Sequence, residues 1–439
     1  MHDTGSHEYD ITRLPAAPRQ EPKLRGGKKR RNVSRPFEDG PDGNWLSRCM
    51  RNDKGEPLGN LANAMLAMRA DPALRDTVAY DEMLRSAVIV QAMPGQQKRG
   101  DQQKPAPVTD TDVGRMQEYL QLSGLPRLSK DTAHQAVDLR ARELSFHPLK
   151  EILEGLEWDR KPRVRSWLAT YLGAESTPYT QGIGTMFLVA MVARIFEPGC
   201  KADYMLVLEG EQGAMKSTAC RVLGDKWYSD NLPDIMSGKD VQQHLRGKWL
   251  IEISELSALN RAENNALKSF ISRQTEEYRP PFGRRDVHEP RQCVFIGTTN
   301  KKNYLKDETG DRRYWPVQTG SVNIQDLTSD RDQIFAEAVV LYQAGERSYP
   351  DRTFELEHIK PQQEARFEAD AWEQAIAQWL DGNLYRLDVT LSEVAAGALD
   401  MQTQKIGTSE QRRIGNILEK MGWRSTGKVV KGRRPWERL

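Results

Sequence analysis

A lysine and a serine at the head of a helical stretch, behind a glycine-bearing loop, are residue types that handle phosphate. In LVLEGEQGAMKSTACRVLG, residues 206–224, an apolar run ends at Leu208 and a short loop holds Gly210 and Gly213. Lys216-Ser217-Thr218 then opens a segment of helical character. Backbone N–H groups at such a helix N-terminus cradle phosphates, the lysine adds a point charge, and the serine hydroxyl ligates magnesium. On this reading Gly210, Gly213, Lys216, Ser217 and Thr218 bind ATP, and Ser217 is the first ligand of Mg2+. Met215 stands where glycine ordinarily precedes the lysine. Glycine is favoured where a backbone approaches a ligand closely or takes positive φ, so this loop must manage with a side chain. The competing reading is an ordinary helix start behind a glycine-containing turn.

Three later segments supply the remaining parts of a nucleotide hydrolase, in order. GKWLIEISELSAL, residues 247–259, reads as a short buried strand, Trp249 to Ile253, carrying Glu252 and followed by Glu255. Acids on a strand beside a phosphate loop organise hydrated magnesium and polarise the attacking water. Glu252 is the expected metal residue, and which of the two glutamates polarises water stays open, because they are three residues apart rather than adjacent. CVFIGTTN, residues 293–300, reads as a strand buried on both faces, as in a parallel sheet, with Asn300 at its end to orient the lytic water. In DETGDRRYWPV, residues 307–317, Arg312 and Arg313 follow a tight turn and precede apolar aromatics. An arginine so held can reach the γ-phosphate of a neighbouring subunit. The alternative is an arginine pair bridged to Asp307 or Asp311.

Taken together these motifs, with Leu267-Lys268-Ser269-Phe270, Arg273 and Tyr278-Arg279-Pro280, resemble the virulence-associated E family. Its members are phage- and genomic-island-encoded ATPases similar to superfamily 3 helicases of the AAA+ class. The resemblance begins upstream at HPLKEILEGLEWDRKPRV, residues 147–164, and runs to about residue 350. It implies a hexameric ring, ATP sites at subunit boundaries and DNA threaded through the pore. It also implies a trans-acting role for Arg312 or Arg313 and water sensing by Asn300. In superfamily 3 relatives a hairpin before the sensor strand grips single-stranded DNA. By position this falls on RPPFGRRDVHEPRQ, residues 279–292, with Arg284 and Arg285 as the phosphate-gripping pair and His288 beside them. Arginine suits phosphate through its charge and its fork of donors. The plainer reading is an exposed basic turn satisfied by Asp286 and Glu289.

The elements that position these residues are legible in outline. Leu58, Leu61, Ala62, Met65 and Leu66 recur at helical spacing, as do Val113, Met116 and Leu120, and then Ala133, Val137 and Leu144 behind a Ser129 N-cap. These give a mostly helical domain over 45–145, interrupted by a loop at 95–107. Residues 1–44 are expected to be a disordered basic tail, with KLRGGKKRRNVSR carrying seven Lys/Arg and no acid. The ATPase core is expected over 146–355. In the C-terminal part, 365–439, Thr390 and Glu393 make a capping pattern. A helix runs near Gln411 to Met421, and two short strands flank Lys431-Gly432-Arg433. From Lys405 onward ten Lys/Arg stand against three Glu. This suits a winged-helix-like domain that holds duplex DNA through Arg412, Arg413, Lys431, Arg433 and Arg434, the alternative being a lid that contacts a partner protein.

The net charge of +2 over 439 residues says nothing by itself about nucleic acid. The four cysteines lack metal-ligand spacing and suit a reducing cytoplasm. No secretory signal is evident, and no apolar run is expected to approach the roughly 20 residues of a membrane helix. The expected fold is α/β, a P-loop AAA+ core with a parallel sheet between a helical N-terminal and a winged-helix-like C-terminal domain. The expected function is a cytoplasmic ATP- and Mg2+-dependent DNA helicase or translocase for replication of a phage or mobile element. It would act as a hexameric ring on single-stranded and forked DNA, with a separate primase, since little room precedes the ATPase for a polymerase fold. Two rivals remain: a non-unwinding switch ATPase that remodels or loads replication proteins, and a DNA-binding regulator with a decayed ATPase.

Overall fold

The computed structural model describes residues 44–94, 105–235, 237–256, 261–280, 285–305, 311–367, 371–383, 386–427 and 434–438. The basic tail up to residue 43, most of the 95–107 loop, Arg284, Lys431 and Arg433 lie outside them. The chain divides into two compact units, Met1–Asn300 with Arg313–Lys360, and Lys301–Arg312 with Pro361–Leu439.

The first unit contains two hydrophobic cores. In the N-terminal one, α1 (Leu61–Ala70) is capped by the Asn60 side chain and buries Ala64, Met65, Ala67 and Met68. A hairpin of β1 (Val78–Asp81) and β2 (Ser86–Ile89) follows, then β3 (Ala106–Pro107), α2 (Asp110–Leu122), α3 (Lys130–Glu143) and β4 (Ser145–Phe146). Val113, Met116 and Leu120 are buried on α2, and Ser129 caps α3 by accepting from the Thr132 N–H. Helix predominates in this region, and the sequence reading did not foresee the four-stranded sheet, β3-β2-β1-β4, that accompanies it. Its strands are two to four residues long, too short for a period-two pattern to stand out beside three helices.

The second core surrounds a five-stranded parallel sheet. The chain enters through α4 (Pro148–Gly155), α5 (Trp167–Leu172) and α6 (Pro178–Phe196), and lays down β5 (Met205–Glu209). There follow α7 (Lys216–Gly224), β6 (Tyr228–Ser229), α8 (Lys239–His244), β7 (Leu250–Ile253) and α9 (Arg261–Ile271). An antiparallel hairpin, β8 (Thr275–Tyr278) and β9 (Val287–Pro290), precedes β10 (Val294–Thr299). Then come β11 (Tyr314–Gln318), α10 (Ile324–Gln343) and the short α11 (Arg352–Phe354), and α12 (Lys360–Glu364) leads into the second unit. The strands lie side by side as β11-β5-β10-β7-β6, with β10 and β5 buried along their whole length. After β5 the chain runs to the far edge of the sheet and works back, then crosses β5 to add β11. The carboxyl end of β5 is thus a topological switch point, the place where open α/β sheets bind ligands.

Helix α6 forms the floor of this core. Thr177 and Thr180 make a capping box and Pro178 occupies the first turn, where its missing N–H costs nothing. By length and composition α6 would pass for a membrane span, which corrects the expectation that no apolar run approaches that size. However, 78% of its apolar window is buried within the protein. It packs under the sheet with α10, and the Trp249 indole donates to the Met191 carbonyl at 2.8 Å while its ring lies tilted against Phe335, 4.6 Å between centroids.

In the second unit α13 (Ala371–Asp381), β12 (Asp388–Thr390), α14 (Leu391–Leu399), α15 (Thr408–Lys420), β13 (Trp423–Ser425) and β14 (Pro435–Arg438) enclose a small core of Ile376, Val389, Val394, Ile414, Leu418 and Trp436. Thr390 and Glu393 form the capping box read from the sequence. The sheet order is β12-β14-β13, all antiparallel. Residues 301–312, numbered within the expected ATPase core, belong to this unit: Leu305 bridges Phe367, and the Tyr304 and Leu305 N–H groups donate to the Arg366 carbonyl.

Candidate active site

The loop between β5 and α7 is shaped by two left-handed residues, Gly213 at φ 83° and Met215 at φ 58°. Position 215 is therefore one where glycine is cheapest, and a methionine there carries roughly 1–2 kcal/mol of backbone strain. The strain is tolerated because the Met215 side chain points outward, 56% exposed, and meets no packing constraint. Gly210 is required for a different reason: a Cβ there would fall 2.5 Å from the Thr319 hydroxyl, which itself donates to the Glu209 carbonyl at the end of β5. Lys216 is the first residue of α7. Its ammonium is folded under the loop, donating to the Gly210 and Glu211 carbonyls at 2.8 Å each. Burial holds its pKa below the ordinary lysine value, against the opposing charge of Glu252. Ser217 and Thr218 are exposed on the first turn of α7.

Glu252 on β7 is only 1% exposed, and both its oxygens accept hydrogen bonds. Ser217 donates to Oε1 at 2.6 Å and Thr298 of β10 to the same oxygen at 2.7 Å, while Tyr228 of β6 donates to Oε2 at 2.5 Å. Ser217 and Glu252, named together as metal residues from the sequence, are thus in direct contact across 35 positions of chain. Tyr228 and Thr298 were not assigned roles. Nothing local to Tyr228 signals one; only the parallel pairing of β6 with β7, Tyr228 opposite Leu250, brings it to the carboxylate. Burial, together with the Glu252 bond, pushes the Tyr228 phenol far above its ordinary pKa.

Glu255 lies two residues beyond β7, exposed, in the left-handed region at φ 54°. Asn300 is exposed at the end of β10, one residue past Thr299, which pairs with Glu209 and so sets Asn300 level with the start of the loop. The arginine pair separates: Arg313 is half-buried with Nε donating to the Ser272 hydroxyl at 2.7 Å, whereas Arg312 is exposed. The exit from that turn is fixed as expected by aromatics, with Tyr314 donating to Asn264 and Trp315 stacked on Tyr204 at 4.7 Å.

The described part of the basic segment at 279–292 includes β9, the second strand of the β8–β9 hairpin, paired from Thr275↔Pro290 to Tyr278↔Val287. Arg285 is exposed near the tip. Asp286 bonds Arg279 at 3.1 Å, and Glu289 bonds Arg246 and Arg85, so neither acid serves Arg285 as the plainer reading required. His288 pairs across the hairpin with Glu277 at 3.1 Å, which engages it locally. In the second unit Arg412 is exposed on α15, and Arg434 is exposed before β14. Arg413, expected on DNA, instead lays its guanidinium 3.8 Å from the centre of the Trp372 ring, a packing role within its own unit.

The four free cysteines fall at 49, 200, 220 and 293, and among the described residues no cluster of three His, Cys, Asp or Glu could hold a metal without a further ligand. Ser217 and Glu252 suit magnesium, which binds through one or two protein oxygens plus phosphate and water.

Residues 153–368 match the virulence-associated protein E-like domain. No curated protein matches the chain. Among solved structures, the apo NrS-1 C terminal region (305–718) is 13% identical, covering 82% of this chain and 95% of that one at a TM-score of 0.44. The A form of the same apo region gives 14% identity, 82% and 96% coverage and a TM-score of 0.43. At these scores the likeness is distant.

Proposed function

The chain belongs to the virulence-associated protein E-like family through residues 153–368, and from that premise we propose that it is a Mg2+-dependent ATPase that drives movement along DNA during replication of a phage or mobile element. The observation that carries this reading is the contact of Ser217 with a buried Glu252 that accepts hydrogen bonds on both oxygens, directly beside a lysine-headed helix at the switch point of a parallel sheet. The sheet order, fifth-first-fourth-third-second in chain sequence, supports an AAA+-type core. The order of helices and strands in the second unit supports a winged-helix-like fold.

In this reading the N–H groups of residues 213–217 and the Lys216 ammonium take the β- and γ-phosphates, exchanging the two carbonyl partners of Lys216 for phosphate oxygens. Ser217 and Glu252 hold the magnesium, which supplies charge neutralisation on the phosphates. Thr298 and Tyr228 keep the Glu252 carboxylate aimed. Asn300, level with the loop, orients the water, and Glu255, exposed beyond β7, accepts its proton. Arg312, the exposed member of its pair, neutralises developing charge in a neighbouring subunit of a hexameric ring, while Arg313 is bonded to Ser272 just past α9. Arg284 and Arg285 grip one DNA strand, and Arg412 and Arg434, with Lys431 and Arg433, contact duplex; a separate primase supplies primers.

The test is ATP hydrolysis by the purified protein with and without single-stranded DNA, beside Lys216→Ala. Several-fold stimulation by DNA with a dead variant is the expected result. Turnover that DNA does not change would favour the switch ATPase, a reading helped by the engagement of Arg279 and His288 with acids of their own hairpin. Absent turnover at every protein concentration would favour the regulator with a decayed ATPase.

A further inference from the structure

One turn of the N-terminal region, residues 82–85 between β1 and β2, is engaged along its whole length with the parallel-sheet region. The Glu82 carbonyl accepts from the Gln292 amide. Met83 is 1% exposed, belongs to the core of the parallel sheet, and its carbonyl accepts from the Gly247 N–H at 2.9 Å. Leu84 lies against Gly247, where an added Cβ would come within 3.0 Å and φ is +70°. Arg85, itself left-handed at φ 57°, donates to the Pro290 carbonyl and pairs with Glu289 at 3.0 Å.

Glu289 is a node. Its carboxylate is held on one side by Arg85 and on the other by Arg246, at 2.6 and 3.2 Å, and it accepts from the Tyr278 hydroxyl at 3.3 Å. Burial would raise its pKa, but the Arg246 bonds and the Arg85 charge outweigh burial and hold it below the ordinary glutamate value. Glu289 and Pro290 are the last residues of β9, the strand that leads back from the basic tip. An isolated two-stranded hairpin is marginal in water, and this one has four cross-strand pairs. Its direction therefore depends on what grips its base. One grip, Arg246, comes from the turn that leads into β7 and Glu252. Gln242 of α8 donates to the Glu277 carbonyl, and the buried Arg291 bonds Glu276 of β8. A further grip comes from a region outside the matched family domain, 205 residues earlier in the chain.

We propose that the 82–85 turn is a brace for the β8–β9 hairpin, with Arg85 as a positioning residue, so that the hairpin and the N-terminal region shift as one body when DNA is gripped. The second half of this statement rests on the DNA-translocase reading; the brace itself does not. The test uses the full chain with Arg85→Gly, which removes the guanidinium at a backbone conformation that glycine accepts. Arg85→Lys serves as the conservative control, and Glu289→Gln as a second route to the same break. Hydrogen exchange of amides 275–278 and 287–289 is measured without nucleotide or DNA, followed by ATP turnover with and without single-stranded DNA.

The expected result is hairpin exchange faster by about tenfold in Arg85→Gly and Glu289→Gln and partly restored protection in Arg85→Lys. Basal turnover should stay at the wild-type value, with stimulation by DNA lost. Hairpin protection equal to wild type in both variants overturns the brace. A loosened hairpin with full DNA stimulation overturns the positioning role. If DNA stimulates no form of the protein, wild type included, the translocase reading has failed, and the exchange data alone decide the brace.

Discussion

The phosphate loop and the β8–β9 hairpin both present charged side chains, but they are held in opposite ways. The loop is built from a short stretch of chain: Gly210, Gly213 and Met215 set its backbone, and Lys216 is satisfied by carbonyls five and six residues away. The hairpin is held by residues 43 and 205 positions from its base. Local chemistry is written in residue order, and a brace is not.

Substitutions should separate the two. Arg312→Ala should lower ATP turnover by about 10³-fold with an unchanged melting temperature and an unchanged hairpin exchange pattern. Mixing it with Lys216→Ala should recover part of the activity, because hybrid subunit boundaries pair an intact loop with an intact arginine. Failure of mixed protein to recover activity would remove the trans role. Arg313→Ala, by contrast, should show its main effect as a lower melting temperature, from loss of the Ser272 bond.

Next in size, Lys216→Ala should cost about 10²–10³-fold in turnover and weaken nucleotide binding measured by equilibrium dialysis. Tyr228→Phe removes one bond to a charged carboxylate, worth about 1.5–3 kcal/mol. Its expected signature is weaker binding of Mn2+ to the nucleotide complex, read by electron paramagnetic resonance. Unaltered metal affinity would make Tyr228 a packing residue.

The two regions should also part company with pH. Glu289 has a depressed pKa, so its contribution is complete above the ordinary glutamate range and is lost only as pH falls through the lower, folded value. Hairpin protection should therefore survive mild acid and disappear beneath that range. The loop responds at the other end: Lys216 has a lowered pKa, so nucleotide affinity should start to weaken at a pH below that at which an ordinary lysine discharges. Nucleotide titrations and hydrogen exchange across pH report the two limits separately. The smallest effect is Met215→Gly, which relieves a left-handed side chain but loosens the unfolded chain, for a net gain within ~1 kcal/mol in chemical denaturation.

Much of the site was legible because its parts are tied to secondary-structure ends. The glycine-bearing loop, the helix opened by Lys216, the strand carrying Glu252 and the strand ending at Asn300 each follow from local pattern, and the structure brings Ser217 to Glu252. What was not legible came from pairing between distant strands. Tyr228 reaches Glu252 only because β6 lies beside β7, and the N-terminal sheet escaped notice because its strands are shorter than the windows in which periodicity can be read. The contact of Arg413 with Trp372 was not legible either, because a helix-start arginine looks the same whether it faces solvent or a tryptophan.

By itself the sequence determined the chemistry: phosphate-handling residues at a helix start, acids on a following strand, and an arginine pair at a turn. These depend on interactions within a few residues, where backbone geometry follows residue type. Only the tertiary structure decided which arginine of the pair is exposed and that Glu252 is clamped on both oxygens. It also decided that residues 301–312 join the second unit and that the hairpin is braced from the N-terminal region. Those outcomes depend on which distant surfaces are buried against each other, a choice made by the whole fold rather than by any one segment.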